Sequence, residues 1–437
     1  MRAKLGTTFR SLQVRNYRLF ATGQLVKLIG VWMMFIAQDW LVLQLSSDSA
    51  TALGVVTALQ FLPVLLLTLM GGKLADRYDK RKLLIVVNVG WSVFSLALAT
   101  LVASGLIQLW HVFITAGLLG IANAIETPVR QSFVSELVGT HLLPNALALS
   151  AATFNSARIT GPALAGVAIA AFGVGPVFVI SALVSLSPLM SLTRMLPGEL
   201  HREVLPPRDE RAPAKISDGL RYVWHSSDLL LPIVLVAVVG MLGFNFQITL
   251  AVLAKTVFHT GAASFGLFTT VLAVGALAGA LAGTGRRSRP SVYIVLGAAV
   301  AFGALETAVG LAPTYWLVVA LLLPTGFFMI YFAQAANQRV QLGTDAAYRG
   351  RVMGLYVLVF VGTTPLGAPL IGWCAERFGP GSSIWLGGIA SLITALAALV
   401  WQLRHTGERL AMRADPLPRV YVVRDADRDP APAASAA

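Results

Sequence analysis

The sequence predicts an all-α membrane protein whose twelve transmembrane helices form two pseudo-symmetric halves of six. Of its 437 residues, 56% are hydrophobic and 12% are charged, whereas a soluble globular chain carries about 25% charge. A chain with so few charged residues cannot cover the surface of a compact water-soluble protein, so a soluble globular fold is excluded. Disorder is excluded because it requires low hydrophobicity, and a disulfide scaffold is excluded because Cys374 is the single cysteine.

Twelve apolar runs are each long enough to cross a bilayer as a helix, which takes about 20 residues. They lack the polar–apolar alternation of barrel strands. No cleaved signal peptide is expected, because the first run is too long and has no small-residue cleavage site. The predicted helices cover residues 19–45, 50–74, 83–104, 109–130, 146–172, 175–196, 229–254, 262–285, 291–311, 314–338, 351–374 and 381–403.

The basic residues fall almost entirely on one side of these helices. With a cytoplasmic N-terminus, the outward loops receive only Lys255 and Arg377 of the 33 Lys and Arg residues, and Lys27 and Arg158 fall within helices. This pattern follows the positive-inside rule. It predicts a multi-pass protein of the bacterial cell (inner) membrane with both termini in the cytoplasm. It also explains the net charge of +13 without a nucleic-acid partner.

One long internal connection divides the chain into two bundles. Its Pro-rich, charged part is typical of a linker. The following segment, Ile216–Trp224, is either an amphipathic helix on the inner membrane surface or the first turns of the seventh helix. The tail is expected to be disordered. The predicted divisions are a cytoplasmic N-terminal arm at 1–18, bundles at 19–196 and 229–404, a cytoplasmic central loop at 197–228 and a cytoplasmic tail at 405–437.

The two halves repeat each other in sequence. The stretch PVRQ at 128–131 resembles NQRVQ at 337–341, and GPALAG at 161–166 resembles GAPLIG at 367–372, with nearly equal offsets. Internal repeats in a polytopic protein are typical of secondary transporters, which bind substrate where the repeats meet. A channel or a membrane scaffold needs no such repeat.

The loop after the second helix, GGKLADRYDKRK at 71–82, contains the most specific motif. Glycine lets helices approach closely in a membrane. Asp76 closes the second helix, where a carboxylate can accept hydrogen bonds from the N-terminus of a neighbouring helix. The basic residues at 80–82 are explained most simply as anchors among lipid headgroups.

This segment resembles the signature loop of the major facilitator superfamily, G-x-x-x-D-[RK]-x-G-[RK]-[RK]. The matching residues are Gly72, Asp76, Arg77, Lys80 and Arg81, and Asp79 stands where glycine is usual. The second-half copy at 279–287 has no aspartate. The stretches QDWLV at 38–42, ETPVRQS at 126–132 and RGRVM at 349–353 resemble a drug-efflux branch close to bacterial exporters of drugs and siderophores.

The resemblance implies the major facilitator fold, with helices one, four, seven and ten around the cavity. In that family the signature aspartate contacts the start of the eleventh helix and closes the cytoplasmic side. It thus implies a gate of Gly72, Asp76, Arg77, Arg81, Arg130, Arg349 and Arg351. The fifth-helix residues Gly161, Pro162 and Gly166 resemble the family's antiporter motif and are expected to pack helices.

Five ionisable residues lie within the predicted spans: Lys27, Asp39, Glu126, Arg158 and Glu306. A charge in hydrocarbon is costly, so each is a candidate for coupling or binding. Lys27 and Glu126 lie at matching depths and can pair. Asp39 faces roughly 120° away from Lys27 on the same helix. Arg158 requires a partner from another helix or an anionic substrate.

Each of the five also has a purely structural interpretation. Asp39 can sit in headgroup water, Glu126 can pair with Arg130 one turn on, and Lys27 can snorkel inward. Arg158 can tie helices together. Glu306, on a helix that the resemblance places outside the cavity, can be a polar helix contact.

Polar and aromatic side chains on the cavity-type helices are expected to line the substrate path, although helix packing explains most aromatic residues in any bundle. Such a lining suits amphipathic, often cationic ligands. The possible lining residues are Gln24, Trp32, Phe35, Asn123, Phe244, Gln247, Phe328 and Gln334.

The sequence therefore predicts a secondary active exporter of small amphipathic molecules, a multidrug-resistance type of proton antiporter that works by alternating access as a monomer. Its partners are its small-molecule substrate, protons and membrane lipids. No Walker loop, metal or catalytic signature is found, so no cofactor or enzyme activity is expected. The alternatives are a dedicated exporter or flippase of one endogenous metabolite, such as a siderophore or a lysophospholipid, and a channel or scaffold.

The gate hypothesis predicts that Asp76→Asn largely abolishes transport while membrane insertion remains normal, because the gate loses a carboxylate that accepts hydrogen bonds. Flux and membrane abundance of the variant are measured side by side. Wild-type flux in Asp76→Asn contradicts the gate assignment.

Overall fold

The computed structural model describes residues 9–201, 216–284, 286, 288–345, 348–406, 408–414 and 418–424. In this part of the chain, eleven helices are long and apolar enough to cross a membrane. A twelfth, residues 140–172, follows the fourth without a loop, across a kink at Gly139. The φ of Gly139 is +68°, a left-handed value that glycine adopts without strain.

We number the twelve membrane helices α1 to α12. The first six are α1 Arg15–Leu45, α2 Ala50–Arg77, α3 Lys80–Ala103, α4 Leu109–Gly139, α5 140–172 and α6 Val174–Thr193. The second six are α7 Ser227–Val257, α8 Ala262–Thr284, α9 Val292–Leu311, α10 Tyr315–Gly343, α11 Arg349–Phe378 and α12 Ser382–Thr406. The predicted helices are all present, and most of their ends differ by a few residues.

Helix α7 is interrupted near its middle. Regular helix ends at Leu242 and resumes at Phe246. The side-chain amide of Asn245 donates to the carbonyl oxygen of Met241 at 2.8 Å, which satisfies an acceptor that the break frees. Irregular backbone within a membrane occurs where protein or a water-filled cavity surrounds it. The break therefore points to the interior of the bundle.

The segment Ile216–Trp224 forms a helix of its own, and α7 begins after it at Ser227. Tyr222 stacks on Tyr348 with ring centroids 4.4 Å apart, and its hydroxyl lies 2.9 Å from a carboxylate oxygen of Asp345. This helix is thus separate from the seventh membrane helix. The predicted linker lies mostly outside the described residues.

The prediction of a disordered tail is wrong for two segments. Strands β1 Glu408–Ala414 and β2 Pro418–Arg424 pair as an antiparallel hairpin, with Leu410 opposite Val422 and Met412 opposite Val420. The second strand is rich in valine and contains a tyrosine, residue types that favour extended structure.

The halves pack together at one end of the bundle. We call the end where α2 passes into α3 the basic end, and the end where α1 passes into α2 the far end. Near the far end, a Cβ atom on Gly54 of α2 would lie 2.5 Å from the carbonyl oxygen of Ala368 in α11. A Cβ on Gly166 of α5 would lie 3.2 Å from Cα of Gly266 in α8. Small residues permit this backbone approach.

Contacts between the halves continue to the middle and then stop. The Thr270 hydroxyl of α8 donates to the carbonyl oxygen of Ile159 in α5 at 3.3 Å. Beyond this level, no hydrogen bond or ion pair joins two described residues of opposite halves. A Cβ on Gly72 of α2 or Gly354 of α11 would meet no atom within 4 Å. Among the described residues the halves therefore separate toward the basic end, and we call this separation the gap.

We expect Gly54→Ala to destabilise the protein, because its Cβ would overlap the α11 backbone, and overpacking costs about 1–3 kcal/mol. Gly117→Ala is the matched control, since a Cβ there has no atom within 4 Å. Thermal unfolding in detergent should show a midpoint lower by several degrees for Gly54→Ala alone. Equal midpoints for the two variants would contradict the packing assignment.

Candidate functional site

Lys27 of α1 and Glu126 of α4 form a buried ion pair. The side chains are 1% and 7% exposed, and Nζ of Lys27 donates to Oε2 of Glu126. Arg130, one turn further along α4, lies with its Nε 3.9 Å from Oε1 of Glu126. Nζ of Lys27 also lies 5.7 Å from the ring centroid of Trp91. The predicted contact between Lys27 and Glu126 is present, and Lys27 does not snorkel to the membrane surface.

Asp39 of α1 is fully buried, so the interpretation that it sits in headgroup water is wrong. Its Oδ2 accepts a hydrogen bond of 2.8 Å from the side-chain amide of Gln247, just beyond the break in α7. Its Oδ1 has no partner among the described residues. This carboxylate therefore lies at the contact between the two halves. Gln247, which was expected to line the substrate path, instead contacts Asp39.

Two further polar contacts join the halves at the far end, and neither was predicted. Nζ of Lys255 lies 2.5 Å from Oδ1 of Asp48. Glu376 of α11 accepts hydrogen bonds from the Thr51 amide at 3.0 Å and from the hydroxyls of Ser49 and Thr51 at 2.5 Å and 2.7 Å. Glu376 thus caps the N-terminus of α2, whose dipole favours an anion. Sequence reasoning missed it because the cap comes from the other half.

Arg158 lies midway along α5 and is half-buried. Among the described residues its guanidinium has no hydrogen bond, no acidic partner and no aromatic ring beneath it. The interpretation that it ties helices together therefore finds no support here. Phe154, one turn earlier on α5, packs edge-on against Trp32 of α1 at 5.9 Å. Trp32 also abuts Gly161, three residues after Arg158 on α5.

Glu306 lies in the second half, at the junction of α9, α7 and α12. It is 2% exposed, and its Oε2 has no partner among the described residues. A Cβ on Gly243, at the break in α7, would lie 2.9 Å from this oxygen and from the Ser391 hydroxyl of α12. Glu306 is therefore away from the contact between the halves, as the resemblance implied for the ninth helix.

The gate residues are described only in part. The backbone of α2 is helical through Asp76, but the side chain of Asp76 lies outside the described residues. Arg77 and Arg349 are exposed. Gly71, rather than Gly72, makes the close contact in the motif, because its Cβ would lie 2.5 Å from the Ala124 carbonyl oxygen of α4.

The expectation that Lys80 and Arg81 anchor the loop among headgroups is wrong. Lys80 pairs with Glu136 of α4, and Arg81 donates to the Thr193 carbonyl oxygen of α6 at 3.3 Å. Both side chains tie α3 to its own half. The reason is that α4 continues past the predicted residue 130 to Gly139 and carries Glu136 beside the loop.

The second half has its own charge network at the basic end. Arg339 of α10 lies 2.5 Å from Asp228 and donates to the Pro290 carbonyl oxygen at 2.8 Å. Arg289 lies 2.9 Å from the other oxygen of Asp228. Arg130 and Arg339 therefore both pair with a carboxylate, as their repeat positions suggest. Asp228, in the first turn of α7, was not singled out from the sequence.

The predicted lining residues divide into two groups. Trp32 contacts Phe35 at 5.8 Å near Arg158. The others lie in helix contacts or are enclosed. These are Phe244 against Phe302, Phe332 and Phe360, Phe328 against Phe327, Gln334 against Gly283, Asn123 hydrogen-bonded to Thr127, and Gln24, which is buried.

The motif residues of α5 pack as expected. Gly161 abuts Trp32 of α1, and Pro162 and Gly166 abut α8 at Gly266. In the second half, Gly367 abuts α7 and Gly372 abuts the first turn of α2. This arrangement, repeated in both halves, is that of a transporter with the major facilitator superfamily fold.

Solved structures have the same fold. A bacterial homologue of the human lysosomal transporter Spinster superposes with a TM-score of 0.66 at 14% identity, over 88% of this chain and 94% of its own. A peptide-transporter (POT) family member gives 0.69 at 12% identity, over 90% and 97%. At these identities the likeness concerns the fold alone.

The chain matches the transmembrane secretion effectors (MFS_3) over residues 6–432 and belongs to that family of transporters. It is 25% identical to the staphyloferrin A transporter of Staphylococcus aureus, over 86% of this chain and 93% of that protein. It is 26% identical to the multidrug efflux pump Tap of Mycolicibacterium fortuitum, over 79% and 85%. The enterobactin exporter EntS of Escherichia coli K12 is also 26% identical, over 77% and 80%.

Neutralising Lys27 or Glu126 alone should cost about 3–5 kcal/mol of stability, because one charge remains buried without its partner. Lys27→Met combined with Glu126→Gln should cost less than either change alone. The unfolding midpoints of the wild type, the two single variants and the double variant form a double-mutant cycle, which measures the coupling between the two charges.

The pair Lys80 and Glu136 is the matched control, because both side chains are 17% exposed and partly solvated. Its cycle should show weaker coupling. Additive effects at Lys27 and Glu126 would mean that the two charges do not stabilise each other.

Proposed function

We propose that this protein exports small amphipathic molecules in exchange for protons by alternating access. The observation that carries the proposal is the hydrogen bond from Gln247 to the buried carboxylate of Asp39, which joins α1 to α7. Separating the halves at the far end breaks this bond and exposes Asp39 to water there. Proton binding at Asp39 is thereby linked to the movement that exposes the substrate path to the far side.

The predicted topology is consistent with the proposed export direction. Under the positive-inside rule the basic end faces the cytoplasm, so the gap receives substrate from the cytoplasm. Closing the gap brings the regions around Gly72 of α2 and Gly354 of α11 together. Opening the far end then requires breaking the contacts of Glu376 and Lys255 with the first half. These polar contacts re-form when substrate has left.

The proton moves in the opposite direction. Asp39 binds a proton while it is exposed to water at the far end. It releases the proton after the far end has closed and the basic end has opened. Lys27 is twelve residues away on α1, roughly 18 Å along the helix, so release toward Glu126 requires water or helix movement. The Lys27–Glu126 pair holds α1 against α4 and is the second candidate for coupling.

A dedicated exporter of one endogenous metabolite is the second candidate function. Two of the relatives are named for single siderophores, staphyloferrin A and enterobactin. An anionic metabolite would need a free cation in the substrate path. Lys27 is already paired with Glu126 and is not free to bind an anion. Arg158 is therefore the cation that favours export of an anionic metabolite.

Asp39→Asn should bind and exchange substrate but fail to accumulate it under a proton gradient, because asparagine stands in permanently for the protonated acid. Inside-out vesicles with an imposed proton gradient measure accumulation, and counterflow without a gradient measures exchange. Glu199→Gln, at an exposed glutamate outside the contacts between the halves, is the control and should accumulate substrate.

Normal accumulation by Asp39→Asn vesicles would exclude Asp39 as the coupling residue. Glu126→Gln would then be the next variant to test. Loss of counterflow as well as accumulation would instead assign Asp39 to substrate binding.

A further inference from the structure

We propose that Arg158 binds an anionic group of the transported molecule, which we infer to be an amphipathic organic anion such as an aromatic carboxylate or sulfonate. This inference rests on the proposed export function and names its substrate class. The observation behind it is a half-buried guanidinium, at the closed end of the gap, that has no partner among the described residues.

Helix geometry places Arg158 between the two halves. Gly161, three residues further on, abuts Trp32 of α1, and the carbonyl of Pro162, four residues further on, faces Gly266 of α8. Positions i+3 and i+4 share a helix face with position i. Arg158 therefore faces the space between α1 and α8, one turn before α5 becomes wedged between them.

Arg339, which is buried in α10, shows what a structural role of an arginine looks like in this protein. Arg339 has a carboxylate of Asp228 at 2.5 Å and the Pro290 carbonyl oxygen at 2.8 Å. Arg158 has neither kind of acceptor among the described residues. A guanidinium with free donors in a fixed fork suits a planar carboxylate or the oxygens of a sulfonate or phosphate.

The remaining intramembrane charges do not neutralise Arg158. Glu126 pairs with Lys27, and Asp39 accepts from Gln247. Glu306 is enclosed by α7, α9 and α12, away from α5. The cation at the closed end of the gap is therefore available to a ligand that enters from the basic end.

Aromatic rings next to Arg158 indicate the rest of the ligand. Phe154 is 39% exposed and packs edge-on against Trp32, which in turn contacts Phe35. An apolar or aromatic body can rest against these rings while its anionic group reaches the guanidinium. A purely inorganic anion would not use this wall.

The test uses the purified full-length protein in detergent, without any gradient. Three probes share one ring system and differ in charge: 1-naphthalenesulfonate, neutral 1-naphthalenemethanol and cationic 1-naphthylmethylammonium. Calorimetry should give tightest binding for the sulfonate. Arg158→Gln should weaken sulfonate binding roughly 10- to 100-fold and leave the neutral probe within about twofold. Arg158→Lys should fall between, and Arg404→Gln is the control at an exposed arginine.

Equal sulfonate affinity in wild type and Arg158→Gln would overturn the proposal, as would a preference of the wild type for the cationic probe. Phosphatidylglycerol is added as a competitor. If it displaces the sulfonate at equimolar amounts, Arg158 binds a lipid headgroup, and the proposal is overturned. These outcomes are independent of proton coupling, which only the vesicle experiment on Asp39 measures.

A second measurement uses only the wild-type protein, so that the proposal can be tested even if Arg158→Gln does not fold. Phenylglyoxal modifies accessible arginines in the wild type, and mass spectrometry of the peptides follows each one. Saturating 1-naphthalenesulfonate should slow modification of Arg158 at least fivefold, on the order expected for a masked donor, without protecting Arg404. No protection of Arg158 would overturn the proposal.

Discussion

Close glycine contacts between the fifth helix of each half and two other helices hold the molecule together. Within the first half Gly161 sets α5 against α1, and across the halves Gly166 sets it against α8. Gly367 and Gly372 set α11 against α7 and α2 in the same way. Lipid provides no hydrophobic force between helices, so close packing and polar contacts must supply the attraction. Among the described residues, backbone contacts of this kind join the halves near the far end and not at the basic end.

This crossed arrangement determines where the polar contacts between the halves can form. With α2 held against α11, Glu376 reaches the first turn of α2. With α1 facing α7, the break at Gly243 to Asn245 brings Gln247 to Asp39. A bundle joined at one end and separated at the other is suited to rocking about the middle, and each polar contact then reports which end is closed.

The charged residues inside the bundle follow from the cost of charge in hydrocarbon. On insertion scales a charged residue at the helix centre costs about 2.5–3.5 kcal/mol. Lys27 and Glu126 offset this cost by pairing, and Arg339 does so with Asp228 and a carbonyl oxygen. Arg158 lies at the edge of the gap, where water or a ligand can solvate it. Its position therefore distinguishes it from the structural charges.

Most of the fold could be predicted, because hydropathy and loop charge depend on local composition. The pairing of Lys27 with Glu126 could also be anticipated, since depth along a helix follows from residue count. The partners of Asp39 and of the α2 N-terminus could not, because Gln247 and Glu376 are more than two hundred residues away along the chain. The hairpin β1–β2 was missed because its composition is also compatible with a disordered tail.

The sequence by itself determined the twelve helices, their repeat, their predicted topology and the class of protein, since each depends on residue type and spacing. The tertiary structure decided which buried groups satisfy each other and which do not. Lys27 is paired with Glu126, and Glu306 is enclosed among α7, α9 and α12. Arg158 has no such partner among the described residues and faces the gap. The reason is that a polar group's role in a membrane depends on what lies within hydrogen-bond distance, and packing between distant helices sets that distance.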